Sequence, residues 1–215
     1  MTLVLSMVTG LAVTAFSPTA AQGAPRVCFG QPATITGDGF IEGTRGNDVI
    51  VATDPGSEVH AGDGNDRVCG AFLAFGGDGR DQIRFGGGRP GGHLDGGRGP
   101  DRVFWASAST DIPEVLGGPG DDRVQATGNG AKIVSGGTGD DVVIGGRGGD
   151  IVFGQGGDDV IHARLGPDNV SGGSGDDILR AGDGNDDIEG GLGWDIAEGG
   201  IGRDQCIGVE RAISC

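Results

Sequence analysis

Aromatic and basic side chains are scarce in this sequence. Of 215 residues 5% are aromatic, Tyr is absent, Lys occurs once and His three times. An ordinary globular core is therefore excluded, because cores draw most of their burial from large side chains at about 25 cal/mol per Å². Lys and Arg together number 15 against 31 Asp and Glu, a net charge of −16. Nucleic acid and anionic membranes are not the partners of so acidic a chain. The few His fall in no HExxH and there is no GxSxG, which removes the common metalloprotease and serine-hydrolase readings. Gly86 to Gly91 formally matches GxGxxG, but no helix pattern follows, as a dinucleotide site requires. Long hydrophobic runs are also missing, with one exception. Leu3 to Phe16 is nearly continuous apolar sequence, 14 residues long, too short for the roughly 20 that span a bilayer. With Ser17-Pro18-Thr19-Ala20-Ala21 behind it, residues 1–24 read as a signal peptide cleaved after Ala21 or Ala24, although no Lys or Arg precedes the apolar stretch. The expected mature chain is secreted and has no membrane span.

What is abundant is Gly, with 50 residues, and acid. Such a composition is compatible with disorder, unless the carboxylates are placed to hold cations. Four cysteines agree with an oxidising destination. No CxxC spacing marks them as metal ligands. They allow three pairings; Cys28 with Cys69 and Cys206 with Cys215 is expected, since each pair staples one end of the chain.

A nine-residue period resolves the composition. Gly136 to Ile207 divides without a gap into GGTGDDVVI, GGRGGDIVF, GQGGDDVIH, ARLGPDNVS, GGSGDDILR, AGDGNDDIE, GGLGWDIAE and GGIGRDQCI. Position six is Asp throughout, position eight is a small or aliphatic apolar residue, and positions one, two and four are mostly Gly. Gly there permits positive φ, so six residues turn tightly and aim carbonyls inward. The last three form a short strand with position eight buried. Two units make an 18-residue coil, and coils stacked at about 4.8 Å form a parallel β-roll. Asp at position six then lies against the Asp 18 residues later. Carboxylates so close repel unless a hard divalent cation lies between them, and oxygen donors in this density select Ca²⁺.

The same unit recurs, less regularly, as GTRGNDVIV, AGDGNDRVC, GGDGRDQIR, GGRGPDRVF and GGPGDDRVQ, beginning at Gly43, Ala61, Gly76, Gly96 and Gly117. One edge of the roll is expected to carry Asp48, Asp66, Asp81, Asp101, Asp122, Asp141, Asp159, Asp177 and Asp195; the other, Asp150, Asp168, Asp186 and Asp204. The intervening half-coils keep Val59, Ala74, Leu94, Val115 and Val134 in the inward slot, but place Ser57, Phe72, Gly92, Pro113 and Lys132 at position six. Calcium should therefore load both edges only in the C-terminal half. Lys132, next below Asp150, is either a built-in cation or a surface lysine. Phe104-Trp105 with Phe72 and Phe75 form either an exposed patch for a sugar or packing at the irregular half-coils. His60 and His162 fall at the outward position nine, and His93 in a Gly-rich insertion.

Over residues 43–207 the pattern GGxGxDxUx resembles the RTX, or haemolysin-type calcium-binding, repeat. The resemblance implies a β-roll that binds Ca²⁺ between its turns through the thirteen position-six Asp residues and the adjoining Gly carbonyls, and that is poorly ordered without the ion. Many members are large toxins, proteases or lipases with a catalytic domain and a C-terminal secretion signal; this chain is more similar to small, secreted, repeat-only calcium-binding proteins. The expected organisation is a signal peptide (1–24), an N-terminal cap (25–42), the all-β roll (43–207) and a C-terminal disulfide loop (208–215). The expected function is non-catalytic calcium binding. The alternatives are a polysaccharide-modifying enzyme, which needs acidic residues outside position six gathered with an Arg in a groove, and an adhesin with a protein or polysaccharide partner.

Overall fold

The computed structural model describes residues 26–86, 91–107 and 112–215. The apolar segment 1–24 and residues 87–90 of the GxGxxG match lie outside the described residues. The described chain is all-β. Strands alternate between a 10-stranded and an 11-stranded sheet, and every pairing within these two sheets is parallel. The chain thus winds as a β-solenoid of about ten coils.

A recurring apolar side chain at position eight, joined in some strands by a second at position one, fills the space between the sheets. Ile50, Val68, Ile83, Val103, Val124, Val143, Ile161 and Leu179 line one wall, and Val59, Ala74, Leu94, Val115, Val134, Val152, Val170 and Ile188 the other, all buried. The five inward residues expected for the irregular half-coils are among them. At about 1.5 to 3 kcal/mol for each fully buried aliphatic side chain, this narrow double row supplies the hydrophobic stabilisation that aromatic bulk supplies in other folds.

The strands are longer than the motif's last three residues. Ile151–Gly156, Asn169–Ser174 and Asp187–Leu192 each run from position seven into position three of the next unit. Position one also points inward, and the ladder steps over it: Phe153 pairs with Ser171 and Gln155 with Gly173. Each wall therefore bends at position one. The glycines divide their labour accordingly. Positions two and four take positive φ in most units, as at Gly173 (+120°) and Gly175 (+130°), and at position two even Gln155 and Arg164 do so; Gly146, Gly148 and Gly184 do not. Position one does not; it lacks a side chain for reasons of space, taken up below. A Cβ on Gly175 would press into the Gly157 carbonyl of the neighbouring coil, so Gly175→Ala is expected to cost about 3 kcal/mol or more, read as a fall in the urea unfolding midpoint with calcium present.

The stack extends beyond the motif at both ends. Ile35–Gly37 pairs with the strand at Val49, Phe40–Glu42 with Glu58–Asp63, and Arg211–Ile213 with Ile196–Gly202. These strands fall outside the complete GGxGxDxUx units, yet extended backbone is enough to continue a parallel ladder.

Both expected disulfides form, with Cα–Cα separations of 5.7 Å for Cys28–Cys69 and 5.8 Å for Cys206–Cys215. The first does more than staple an end. Residues 27–32 make an antiparallel hairpin through a turn at Phe29 and Gly30, both at positive φ, as a type I′ turn demands. Cys69 stands at an outward position of the 11-stranded sheet, so the bond clamps this hairpin across the sheet's outer face. Phe29 there meets Phe104 at 6.1 Å, and the Arg84 guanidinium lies 4.4 Å above its ring. Cys28→Ser with Cys69→Ser is expected to cost about 2 to 4 kcal/mol. Limited proteolysis should then cut near residues 27–32 first and leave the repeats intact.

Candidate metal centre

The thirteen aspartates stand in two columns, as the 18-residue period requires. Eleven of them are held so that one carboxylate oxygen, Oδ1, accepts the backbone N–H of the Asp one coil earlier; Asp48 and Asp150, at the foot of each column, are the other two. In the long column Asp48 N–H donates to Asp66 at 2.7 Å, Asp66 to Asp81 at 2.8 Å, Asp81 to Asp101 at 2.7 Å and Asp101 to Asp122 at 2.7 Å. The series continues through Asp141, Asp159 and Asp177 to Asp195. In the short column Asp150, Asp168 and Asp186 donate in the same way to Asp168, Asp186 and Asp204. Coils of 15, 20 and 21 residues keep the contact, because the extra or missing residues are absorbed away from the corner.

The second oxygen is the chemically open one. Oδ2 of Asp66, Asp81, Asp101, Asp122, Asp141, Asp159, Asp168, Asp177, Asp186 and Asp195 is buried and has no hydrogen-bond partner. An orphaned buried carboxylate oxygen is costly. Burial, reinforced by neighbouring carboxylates and opposed by the N–H from the preceding coil, pushes Asp66, Asp101, Asp141, Asp159 and Asp168 up to about 7. The same causes push Asp122 up to about 8, and Asp81 and Asp177 to about 6.

Position one explains where these oxygens point. A Cβ built on Gly190 would lie 2.6 Å from Asp195 Oδ2 and closer still to the Gly208 carbonyl; one on Gly199 would lie 2.6 Å from Asp204 Oδ2 and 2.5 Å from the Ser214 carbonyl. The missing side chain leaves a cradle on which a carboxylate oxygen of one coil and a carbonyl of the next converge. The two nearest atoms facing it are oxygens, the donor type of a hard cation such as Ca²⁺. Among the described residues no three acidic, His or Cys side chains gather at one point, so backbone carbonyls must complete any coordination shell.

The two lowest members of the columns differ from the rest. Asp48 is served by protein donors: Thr44 N–H at 2.7 Å and Thr44 Oγ1 at 2.9 Å on Oδ2, and Thr34 Oγ1 at 3.3 Å on Oδ1. Asp150 accepts Gly146 N–H at 2.8 Å on Oδ2 and the Lys132 ammonium at 3.1 Å on Oδ1. Lys132 is 2% exposed and so is not a surface lysine.

Two features of the ladders were not read from the motif. Glu210 closes the long column, its carboxylate taking Asp195 N–H at 2.6 Å; a Glu 15 residues on lies outside the nonapeptide template. Position five forms a second, exposed ladder of opposite direction. Asn47 accepts Asn65 N–H, Asp121 accepts Asp140 N–H, Asp140 accepts Asp158 N–H and Asp158 accepts Asp176 N–H, all between 2.8 and 3.0 Å. The recurrence of Asn or Asp at position five was the available signal. Turns that belong to both ladders are thus tied to one neighbouring coil through the position-five side chain and to the other through the position-six side chain.

Beside the short column, the N-terminal half of the second edge is apolar. Phe85 and Trp105 stack at 3.6 Å and are buried, with Phe72 packed against the core. Phe104 and Phe75 face outward from opposite sheets, Phe75 standing between His60 and His93. The four aromatics therefore do not make one patch. His93 is not in an insertion; it lies in the strand His93–Arg98 and pairs with Glu114 at 2.9 Å. His60 binds Glu58 at 2.7 Å.

A family model describing the RTX calcium-binding nonapeptide repeat, in four copies, matches residues 35–54, 135–170 and 171–206. No curated protein matches the chain. Across these segments the chain carries RTX calcium-binding nonapeptide repeats, and its long aspartate column runs on through the coils between them.

Proposed function

We propose that this protein is a secreted, non-catalytic calcium-binding module whose fold is completed by extracellular Ca²⁺, with the thirteen position-six aspartates as its side-chain ligands. The row of ten orphaned, buried Oδ2 atoms carries the reading. Bound calcium would supply the positive charge that allows these carboxylates to ionise together. The chain's own part is to hold Oδ1 on the preceding N–H, leave Oδ2 free, and keep position one bare. Asp48 and Asp150 stand at the column ends with protein donors on both oxygens, so the ions belong chiefly to the intervals above them. Cation binding to the folded columns, and little to the unfolded chain, stabilises the fold by mass action.

Secretion is supported by the two disulfides, by the apolar 14-residue segment expected to be a signal peptide over residues 1–24, and by an ion that is plentiful outside cells. Within this reading residues 25–42 and 208–215 act as end segments of the roll. Among the described residues no helix is long and apolar enough to cross a membrane.

The glycan-modifying alternative finds its best setting at Asp63, Asp78 and Arg98, which pair across adjacent strands in one column. All three are exposed, whereas glycosidic chemistry needs one carboxyl kept protonated by an enclosing wall. The open column does not supply one. Calorimetric titration of the chain with calcium tests the proposal. Uptake of several ions per chain, abolished by Asp→Asn substitutions along the columns, is expected; uptake of none would overturn it.

A further inference from the structure

Lys132 is the single lysine of the sequence, and its side chain runs inward at the one place where an edge of the solenoid changes character. Below it, the second edge is filled by Phe72, Phe85 and Trp105. Above it begins the column Asp150, Asp168, Asp186 and Asp204. Lys132 occupies position six of its own half-coil, the position of an Asp in the column.

Oxygen donors of the same kinds as those in the cradles higher up surround Nζ. It donates to the carbonyl of Gly130 in its own turn and to Asp150 Oδ1 in the next, at 3.1 Å for the latter. A Cβ on Gly146 would fall 2.5 Å from Nζ and 2.9 Å from the Gly128 carbonyl, so the ammonium shares its small space with a second turn carbonyl. Turn carbonyls and a carboxylate are the kinds of donor that the calcium reading assigns to each ion, here with the carboxylate in the upper coil and the carbonyls in the lower. The lowest interval on this edge therefore already contains a positive charge, covalently attached. Among the described residues the Lys132–Asp150 pair is also the one ion pair with both side chains buried. A buried pair is retained where removing one member leaves an uncompensated charge, and Asp150, unlike Asp168 above it, has no orphaned oxygen.

We infer that the Lys132 ammonium is a resident cation that takes the place of a calcium ion between the Lys132 and Asp150 turns, closing the lower end of the second column to metal. This rests on the calcium reading of the columns. It follows that the second edge accepts ions only from the Asp150/Asp168 interval upward. On this edge the Lys132 turn is thereby held without metal, a seam below the first calcium interval of the short column.

The test is Lys132→Asp, which restores the column's own residue. Calorimetric titration should show one more calcium ion per chain than the wild type, and the calcium concentration at half-maximal far-UV signal should rise several-fold, because the seam now needs metal too. An unchanged ion count in a variant with native circular dichroism would overturn the inference. If Lys132→Asp does not fold, Lys132→Arg and Lys132→Gln replace it. The arginine variant should fold at nearly the wild-type calcium concentration and the glutamine variant only at a higher one; equal concentrations would overturn it. Amine acetylation followed by mass spectrometry is independent of calcium counting, since one lysine can react. In the folded wild type Lys132 should resist acetylation; rapid labelling would remove the ammonium from its buried seat. A wild type that takes up no calcium while Lys132 remains protected would defeat the calcium reading and with it the cation's stand-in role, but leave the ion pair itself established.

Discussion

In excess EDTA at pH 8 the protein is expected to lose most of its far-UV β signal, and to regain it when calcium is added in excess of the chelator. The same chelated sample is expected to recover β signal when acidified to about pH 5. The reason is the direction in which burial moves the aspartates. Unfolded carboxyls titrate near 4, whereas eight position-six aspartates titrate between about 6 and 8 when folded. Between these values the folded chain binds more protons than the unfolded one, so stability falls as pH rises through that window. A tenfold difference in proton affinity between the folded and unfolded chain is worth about 1.4 kcal/mol. A tenfold difference at each of the eight groups already amounts to about 11 kcal/mol, comparable with the about 5–15 kcal/mol that holds a typical domain together. Protons or calcium can meet that cost, and near neutral pH calcium should displace protons. Circular dichroism across pH 4 to 8, with and without EDTA, decides the matter; a β signal indifferent to both would show that the columns are not electrostatically strained.

The second large effect separates the two edges. Asp168→Ala removes the acceptor of Asp150 N–H and the free Oδ2 between two intervals of the short column. The buried N–H left behind costs about 1 to 3 kcal/mol on its own, and both adjoining ion positions lose a ligand. The calcium count should fall by about two, with a several-fold higher calcium concentration needed for folding. Ser57→Ala is the control on the same edge. Ser57 Oγ is buried and unpartnered, so its removal should leave the calcium count unchanged and the unfolding temperature equal or higher. Equal losses in the two variants would refute the assignment of the edges.

Much of this was legible in the residues because the period is short and repeated. An apolar residue every ninth position and an Asp two places before it determine winding, inward face and column membership, even where coils shorten to 15 residues or lengthen to 21. Positive φ was expected at three glycine positions, but position one proved to be a matter of space, since the sequence carries no information about the carbonyl and carboxylate that approach it from the next coil. Glu210 was missed because it serves the column from outside the repeat. The expected Cys28–Cys69 pair forms, yet its effect, a hairpin laid across a sheet face, depends on where the outward side chain of Cys69 emerges.

By itself, then, the sequence determined the architecture and the two acidic columns, because both follow from local periodicity that each unit repeats. Only the tertiary structure decided which oxygens are already satisfied and which are left open. That depends on donors from neighbouring coils and distant residues, among them Thr34 beneath Asp48, Glu210 above Asp195 and the Lys132 ammonium against Asp150. Hydrogen-bond partnership is a property of atoms brought together, and no spacing along the chain states whether a buried carboxylate has one partner or two.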